Sequence, residues 1–315
     1  MALALELLLF AVGLTVALVA SSRAVNEARE LALGLGAPPF VVGFVLVAVG
    51  TDLPEIANSI TAHLQGEGDI NVGDSIGSVL AQYTLVLGLI PLLAGAFLVN
   101  RREVTTVGLL TIPGLVLSIL LVRDDYLGRL DGLLLVGTWL ILVAVAIRVL
   151  PTNVDHDAPP PPPARPHLIR IAVVLVLLAL VGVGASLAVR SLVRIADLAG
   201  VSEFLIAYFG AALATSAPEL VVVGTAALRG AYGLALGDAL GASFVDSSLS
   251  IGIGPLVAAA PVTGAVAIPG IAYALAATVV ATLLLATRGR HDRRSSVLLL
   301  ALYALAYVLV LGADL

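Results

Sequence analysis

The chain has 315 residues, 60% hydrophobic and 12% charged, with a net charge of −5 and a mean hydropathy of +1.12. Soluble domains carry about 25% charged residues, so water is not the principal solvent of this chain, and so small a net charge gives no ground for a nucleic acid or other polyelectrolyte partner. Cysteine is absent, which excludes a disulfide framework, thiolate catalysis and a thiolate metal site. Every basic residue is an arginine.

Apolar runs of about 17–25 residues predict membrane-spanning helices. In chain order they fall at 2–20, 37–64, 71–97, 104–122, 130–149, 169–191, 201–227, 234–259, 264–287 and 296–313. The first run lacks a basic leader and is too long for a signal sequence, so it is read as a span. One long polar insert, "PTNVDHDAPPPPPARPH", runs from Pro151 to His167. Its five consecutive prolines favour a stiff polyproline II spacer. The expected organisation is a first five-span half at 1–150, a linker at 151–167 and a second five-span half at 168–315.

The arginines predict orientation. Arg23, Arg29, Arg101, Arg102, Arg148, Arg165, Arg170, Arg229, Arg288, Arg290, Arg293 and Arg294 fall in one set of alternate loops, and Arg123, Arg129, Arg190 and Arg194 in the other. Twelve against four puts the linker in the cytoplasm of a prokaryotic-type plasma membrane and both termini outside. Five spans per half is an odd number, so homologous halves would be inverted, a common transporter design.

The halves do share a sequence. "GTDLPEIANSITAHLQGEGDINVGDSIGSVLAQ" from Gly50 aligns without gaps on "ATSAPELVVVGTAALRGAYGLALGDALGASFVD" from Ala214, at an offset of 164 residues. Thr51 falls on Thr215, Pro54 on Pro218, Glu55 on Glu219, Asp74 on Asp238 and Gln82 on Asp246. An ionised side chain at the bilayer centre costs about 2.5–3.5 kcal/mol on insertion scales, so a carboxylate at the same depth in each half calls for a bound counter-charge. Each proline lacks a donor and frees the carbonyl four residues earlier, here Gly50 and Ala214. Those carbonyls and the threonine hydroxyls are hard oxygen ligands, suited to Na⁺ or Ca²⁺. Ser78 and Gln82 share one helical face four residues apart. "GDSIGSVLAQ" and "GDALGASFVD" read as helix starts, with Asp74 and Asp238 either capping backbone donors or lying on the ion path, and Gly77 and Gly241 as points of close helix approach.

At these residues the chain resembles a known family. "GTDLPE" and "ATSAPE", each followed by a G-[ND]-x-x-G-[SA] element, are similar to the two alpha repeats of the sodium/calcium exchangers, within the calcium/cation antiporter superfamily. The likeness is strongest over 40–90 and 204–254. It implies an all-α polytopic membrane protein of ten transmembrane helices, built as two inverted five-helix repeats with broken second and seventh helices. It implies alternating access by sliding of the first and sixth helices. It places the ion ligands at Thr51, Asp52, Glu55, Ser78, Gln82, Thr215, Ser216, Glu219, Ala242 and Asp246, with carbonyls near Ala48 and Ala212.

The chain departs from that pattern. Asp52 stands where serine is usual, Gln82 where asparagine or aspartate is usual, Ala242 lacks the hydroxyl of Ser78, and Asp74 and Asp238 replace asparagine. Asp52 would bring the carboxylates to four, with Glu55, Glu219 and Asp246. Four such groups repel one another and disfavour full ionisation, which points to a bound proton at Asp52 or a neighbour. The expected function is a non-enzymatic secondary antiporter exchanging a divalent cation, first of all Ca²⁺, against Na⁺ or H⁺, with lipid and inorganic cations as partners, no cofactor and no obligate protein partner. A proton-coupled or Mg²⁺-selective exchanger is the alternative, followed by a cation channel and by an intramembrane aspartyl protease suggested by "ALGD" at Ala235. Glu67 and Asp69 read as a solvated turn, His63 as a packed histidine rather than a proton relay, and "RGRHDRR" as a topology-setting basic loop.

Overall fold

The computed structural model describes residues 2–150, 166–198 and 217–313. The Pro-rich linker up to residue 165, Thr215, Ser216 and the carbonyls near Ala212 and Ala214 lie outside the described residues. The described chain is nearly all helix: α1 Ala2–Leu35, α2 Pro39–Thr51, α3 Leu53–Gln65, α4 Gly68–Ala94, α5 Arg101–Leu121, α6 Arg129–Val149, α7 His167–Leu198, α8 Ala217–Leu228, α9 Tyr232–Val257, α10 Gly264–Arg288 and α11 Arg293–Ala313. Among the described residues seven helices are long and apolar enough to cross a membrane, or eight if the bent pair α2–α3 counts as one span. The protein is thus an all-α polytopic membrane protein.

The helix ends repeat at the offset found in the sequence. The α-helical stretch Gly68–Ala81 and the π-helical turn Gln82–Val86 of α4 recur as Tyr232–Val245 and Asp246–Ser250 in α9. Arg129–Val149 recurs as Arg293–Ala313. Gly66 and Gly230, which end α3 and α8, both have positive φ, 77° and 69°, a conformation that glycine adopts without Cβ strain. Two-residue strands pair the repeats reciprocally: β1 Phe97–Leu98 with β4 Arg290–His291, and β2 Tyr126–Leu127 with β3 Ala260–Pro261.

The chain forms two compact units that cut across the sequence halves. The first holds Met1–Thr51 and Thr152–Asp238. In it α1 lies along α7 with backbones in contact. A Cβ on Gly13 would come within 2.6 Å of the Ala188 nitrogen, and one on Gly184 within 2.7 Å of the Ala17 nitrogen. Small residues four apart on both helices permit this approach. α1 runs 15 residues beyond the expected end at residue 20. Polar contacts hold the extension: Arg170 reaches Glu30 at 2.7 Å and Glu27 at 3.6 Å, and Arg229 donates to Asn26 at 2.6 Å. α2 crosses the start of α9 at Gly43, where a Cβ would sit 2.5 Å from the Leu234 carbonyl oxygen.

The second unit holds Asp52–Pro151 and Ala239–Leu315. Here α4 and the latter part of α9 each carry a proline, Pro91 and Pro255. Each frees a carbonyl one turn back, Leu87 and Ile251, and each of these finds a side-chain donor from the other sequence half. His291 Nε2 lies 2.8 Å from the Leu87 oxygen, and Asn71 donates to the Ile251 oxygen at 3.0 Å.

Three sequence readings change. The helices carrying Asp74 and Asp238 begin at Gly68 and Tyr232, so both aspartates are helix-interior and cap nothing. Gly77 is no close-approach point among the described residues, since nothing lies within 4 Å of a Cβ placed there. Asp69 is more than a solvated turn residue: its carboxylate accepts from the Thr263 hydroxyl at 2.7 Å and from the Thr263 amide, anchoring the start of α10.

Candidate cation site

The backbone break comes first. α2 ends at Thr51, α3 starts at Leu53, and the pair bends by 42°. Asp52 occupies the joint with φ −81° and ψ 4°, in the sparsely populated bridge region that active-site residues often adopt. Pro54 falls in the first turn of α3, where its missing donor costs no intrahelical bond and its fixed φ suits a helix start. Glu55 is in the same turn, so both acids stand at the positive end of the α3 dipole. Asp52 is 0% and Glu55 2% exposed, and an oxygen of one lies within 4.8 Å of an oxygen of the other. Two buried carboxylates so close repel one another, and a proton or a cation between them offsets that repulsion. Glu219 on α8 is the position equivalent to Glu55 at the offset of 164, and it too is buried.

The second layer lies on α4 and α9. Gln82 and Asp246 open the two π-helical turns, a local widening of the helix often found at functional sites. They are equivalent positions of the repeat, and they touch: Gln82 Nε2 donates to Asp246 Oδ2 at 3.2 Å. Ser78 Oγ, one turn before Gln82, and Gln82 Oε1 are buried with no hydrogen-bond partner among the described residues. Buried polar atoms are nearly always satisfied, so these two oxygens fit a cation's coordination shell. Ala242, the counterpart of Ser78, offers no side-chain ligand.

Thr51 belongs to the first unit. Its hydroxyl lies 3.0 Å from the Ala48 carbonyl oxygen, 3.2 Å from that of Val47 and 3.2 Å from Asp238 Oδ1. One proton cannot serve three acceptors at once, so Asp238 influences where the Thr51 lone pairs point. Asp74 takes a different partner, Asn58, which donates at 2.7 Å.

Sequence reasoning passed over Ser59, Asn71 and His291 as contacts that the fold uses, and it read His63 as packed, which its burial bears out. Ser59 accepts from the Gly254 amide at 3.0 Å, His63 bonds the Ala258 carbonyl at 2.8 Å, and Asn71 and His291 cap the freed carbonyls. For Ser59 and His63 the signal was present: with Glu55 they repeat every fourth residue, on one face of α3. The π-helical turns had no legible signal.

The sodium/calcium exchanger protein family model matches residues 5–148 and again 169–312. The chain belongs to this family. A protein of Alkalimonas amylolytica that bears the name antiporter CaxA is 31% identical over 312 residues, 95% of this chain and 96% of its own length. The sodium/calcium exchanger MaX1 of Methanosarcina acetivorans is 38% identical over 87 residues, 28% of this chain and 25% of its own. The solved structure of the sodium-calcium exchanger NCX_Mj soaked with zero Na⁺ and Ca²⁺ superposes with a TM-score of 0.81 at 25% identity, over 98% of this chain and 99% of that one. This member of the exchanger family is therefore a cation antiporter of the membrane and not an enzyme, which removes the protease reading of "ALGD".

Proposed function

We propose that the protein exchanges a divalent cation, Ca²⁺ first, against Na⁺ or H⁺ by alternating access at a mid-membrane site. Asp52, Glu55, Glu219 and Asp246 supply the negative charge. Thr51, Ser78, Gln82, Thr215 and Ser216 supply neutral oxygens, and Asp74 and Asp238 lie along the ion path. The ten spans form two inverted five-helix repeats on either side of a cytoplasmic linker, 1–150 and 168–315, with both termini outside. The broken helices are the second, α2–α3, and the seventh, which includes α8. The observation that carries this reading is the buried carboxylate pair at the break of α2–α3, with the buried oxygen acceptors of Ser78 and Gln82 on α4. A hard dication with oxygen-only ligands fits such a set. Relatives support the direction, since both MaX1 and NCX_Mj are named sodium/calcium exchangers.

The extra acid favours H⁺ as a counter-ion. Asp52 adds a buried carboxylate where the other half keeps Ser216. A site with one more acid than its cation can neutralise retains a proton more readily. Reconstitution in liposomes tests both statements. Divalent uptake driven by a Na⁺ gradient, by a pH gradient, or by both is expected. Uptake under neither gradient, or single-channel currents in place of coupled exchange, overturns the antiporter reading for these ions.

A further inference from the structure

His63 lies on α3, two turns beyond Glu55, and is 1% exposed. Its Nδ1 is 2.8 Å from the Ala258 carbonyl oxygen. A carbonyl oxygen only accepts, so Nδ1 carries the proton and Nε2 presents a bare lone pair. That Nε2 is buried and has no hydrogen-bond partner among the described residues. Ser59, one turn nearer the site, accepts from the Gly254 amide. Glu55, Ser59 and His63 thus form a buried polar file along one face of α3, ending one turn from exposed Gln65 and Gly66.

The other repeat has no such file. Ser59 and His63 correspond to Val223 and Ala227, each 1% exposed on α8. A histidine needed only to fill space would have its place taken by an aliphatic residue, as happens there. An unpaired imidazole lone pair in the interior costs free energy, and binding a proton is the chemistry it offers.

We propose that His63 Nε2 is a proton-binding site, and that its occupancy weakens binding of the divalent cation at Glu55. The regulatory half of this statement rests on the exchange reading above. Binding converts the imidazole to an imidazolium: a hydronium ion gives up one O–H bond to form the Nε2–H bond and leaves as water, and the Nδ1 bond to Ala258 is retained. Eight residues of helix put the new charge about 12 Å from Glu55. Charged and titratable groups surround it. Glu55 shares its helix, and Asp52 sits at the joint before it. Asp69 and Asp74 lie on α4, Asp246 lies on α9, and Arg129 at the start of α6 donates to the Val257 carbonyl at 3.4 Å. Burial opposes the imidazolium most, Arg129 opposes it too, and the acids favour it. At an interior effective dielectric near 20, a unit charge at this distance lowers affinity about tenfold for each unit of cation charge, and so about a hundredfold for a dication.

His63→Asn tests it, since the Asn amide can still donate to Ala258 but carries no titrating nitrogen. In proteoliposomes of the Asp52→Ser variant, which removes the other proton-binding group, the KM for Ca²⁺ is expected to rise by up to about a hundredfold as pH falls from about 8 to about 5 on the side where α3 ends, and adding His63→Asn is expected to remove that rise. Identical profiles overturn the regulatory role, as does a dependence that survives in both His63→Asn and a second variant, His63→Gln. The proton site itself is read without transport. Nitrogen-15 histidine NMR of the full chain in nanodiscs, assigned by loss of a signal in either variant, should show the Nδ1–H tautomer and a titrating Nε2. A resonance that stays neutral to the acid limit of folding, or an Nε2–H tautomer, overturns the site even where exchange is absent.

Discussion

The two repeat segments share a skeleton and differ in their polar surface. Both have Pro-Glu, a glycine of positive φ at the end of the helix that carries it, a π-helical turn and a proline beyond that turn. The first segment then has Asp52, Asn58, Ser59, His63 and Ser78 where the second has Ser216, Val222, Val223, Ala227 and Ala242. Among the described residues these backbone devices recur at the offset of 164. Side-chain chemistry is not duplicated, because the equivalent positions need not carry equal charge. Most of the polar departures from symmetry fall in the first segment, so pH and ion preference should be set there.

The largest expected effect breaks what is common to both segments. Glu55→Gln and Glu219→Gln should each lower divalent exchange by about 100-fold or more, because each removes one charged ligand of a dication. Flux in proteoliposomes with intact size-exclusion profiles checks this, and normal transport in both would refute the site. Next comes the asymmetry itself. Asp52→Ser gives the first segment the residue of the second, and the pH dependence of exchange should shrink while Na⁺-driven exchange survives. An unchanged profile would make Asp52 peripheral.

Two smaller effects concern the capped carbonyls. Asn71→Ala leaves the Ile251 oxygen without its donor and should cost about 1–3 kcal/mol, read as a lower thermal unfolding midpoint in detergent. At the equivalent carbonyl, Leu87, the donor is His291, whose burial pushes its pKa down to about 4. A base depressed below its unfolded value of 6.5 binds more protons when unfolded. Its contribution is therefore complete above about pH 6.5 and is lost as pH falls toward 4, by no more than about 3 kcal/mol. The slope of unfolding midpoint against pH in that window should flatten in His291→Gln, whose amide still donates to Leu87, and should persist in Asn71→Ala.

Much of this was legible in the sequence because lipid and repetition both constrain it. Pro-Glu recurs 164 residues apart inside apolar runs, where an acid without a counter-charge would be costly. The Gln82–Asp246 contact joins two positions that share this offset. What could not be read depended on tertiary partners. Helix α1 continues past residue 20 because Arg170 and Arg229 receive its polar end. Asp74 and Asp238 look like caps until the six residues before each prove helical. Asp69 looks solvated until α10 arrives beside it.

The seam between α1 and α7 has a mechanical consequence. Where main chains touch through Gly13, Ala17, Gly184 and Ala188, no long side chains interlock to let one helix ratchet past the other. The two should travel as a single plank. In a chain without native thiols, an engineered cysteine tether across that seam should leave turnover intact.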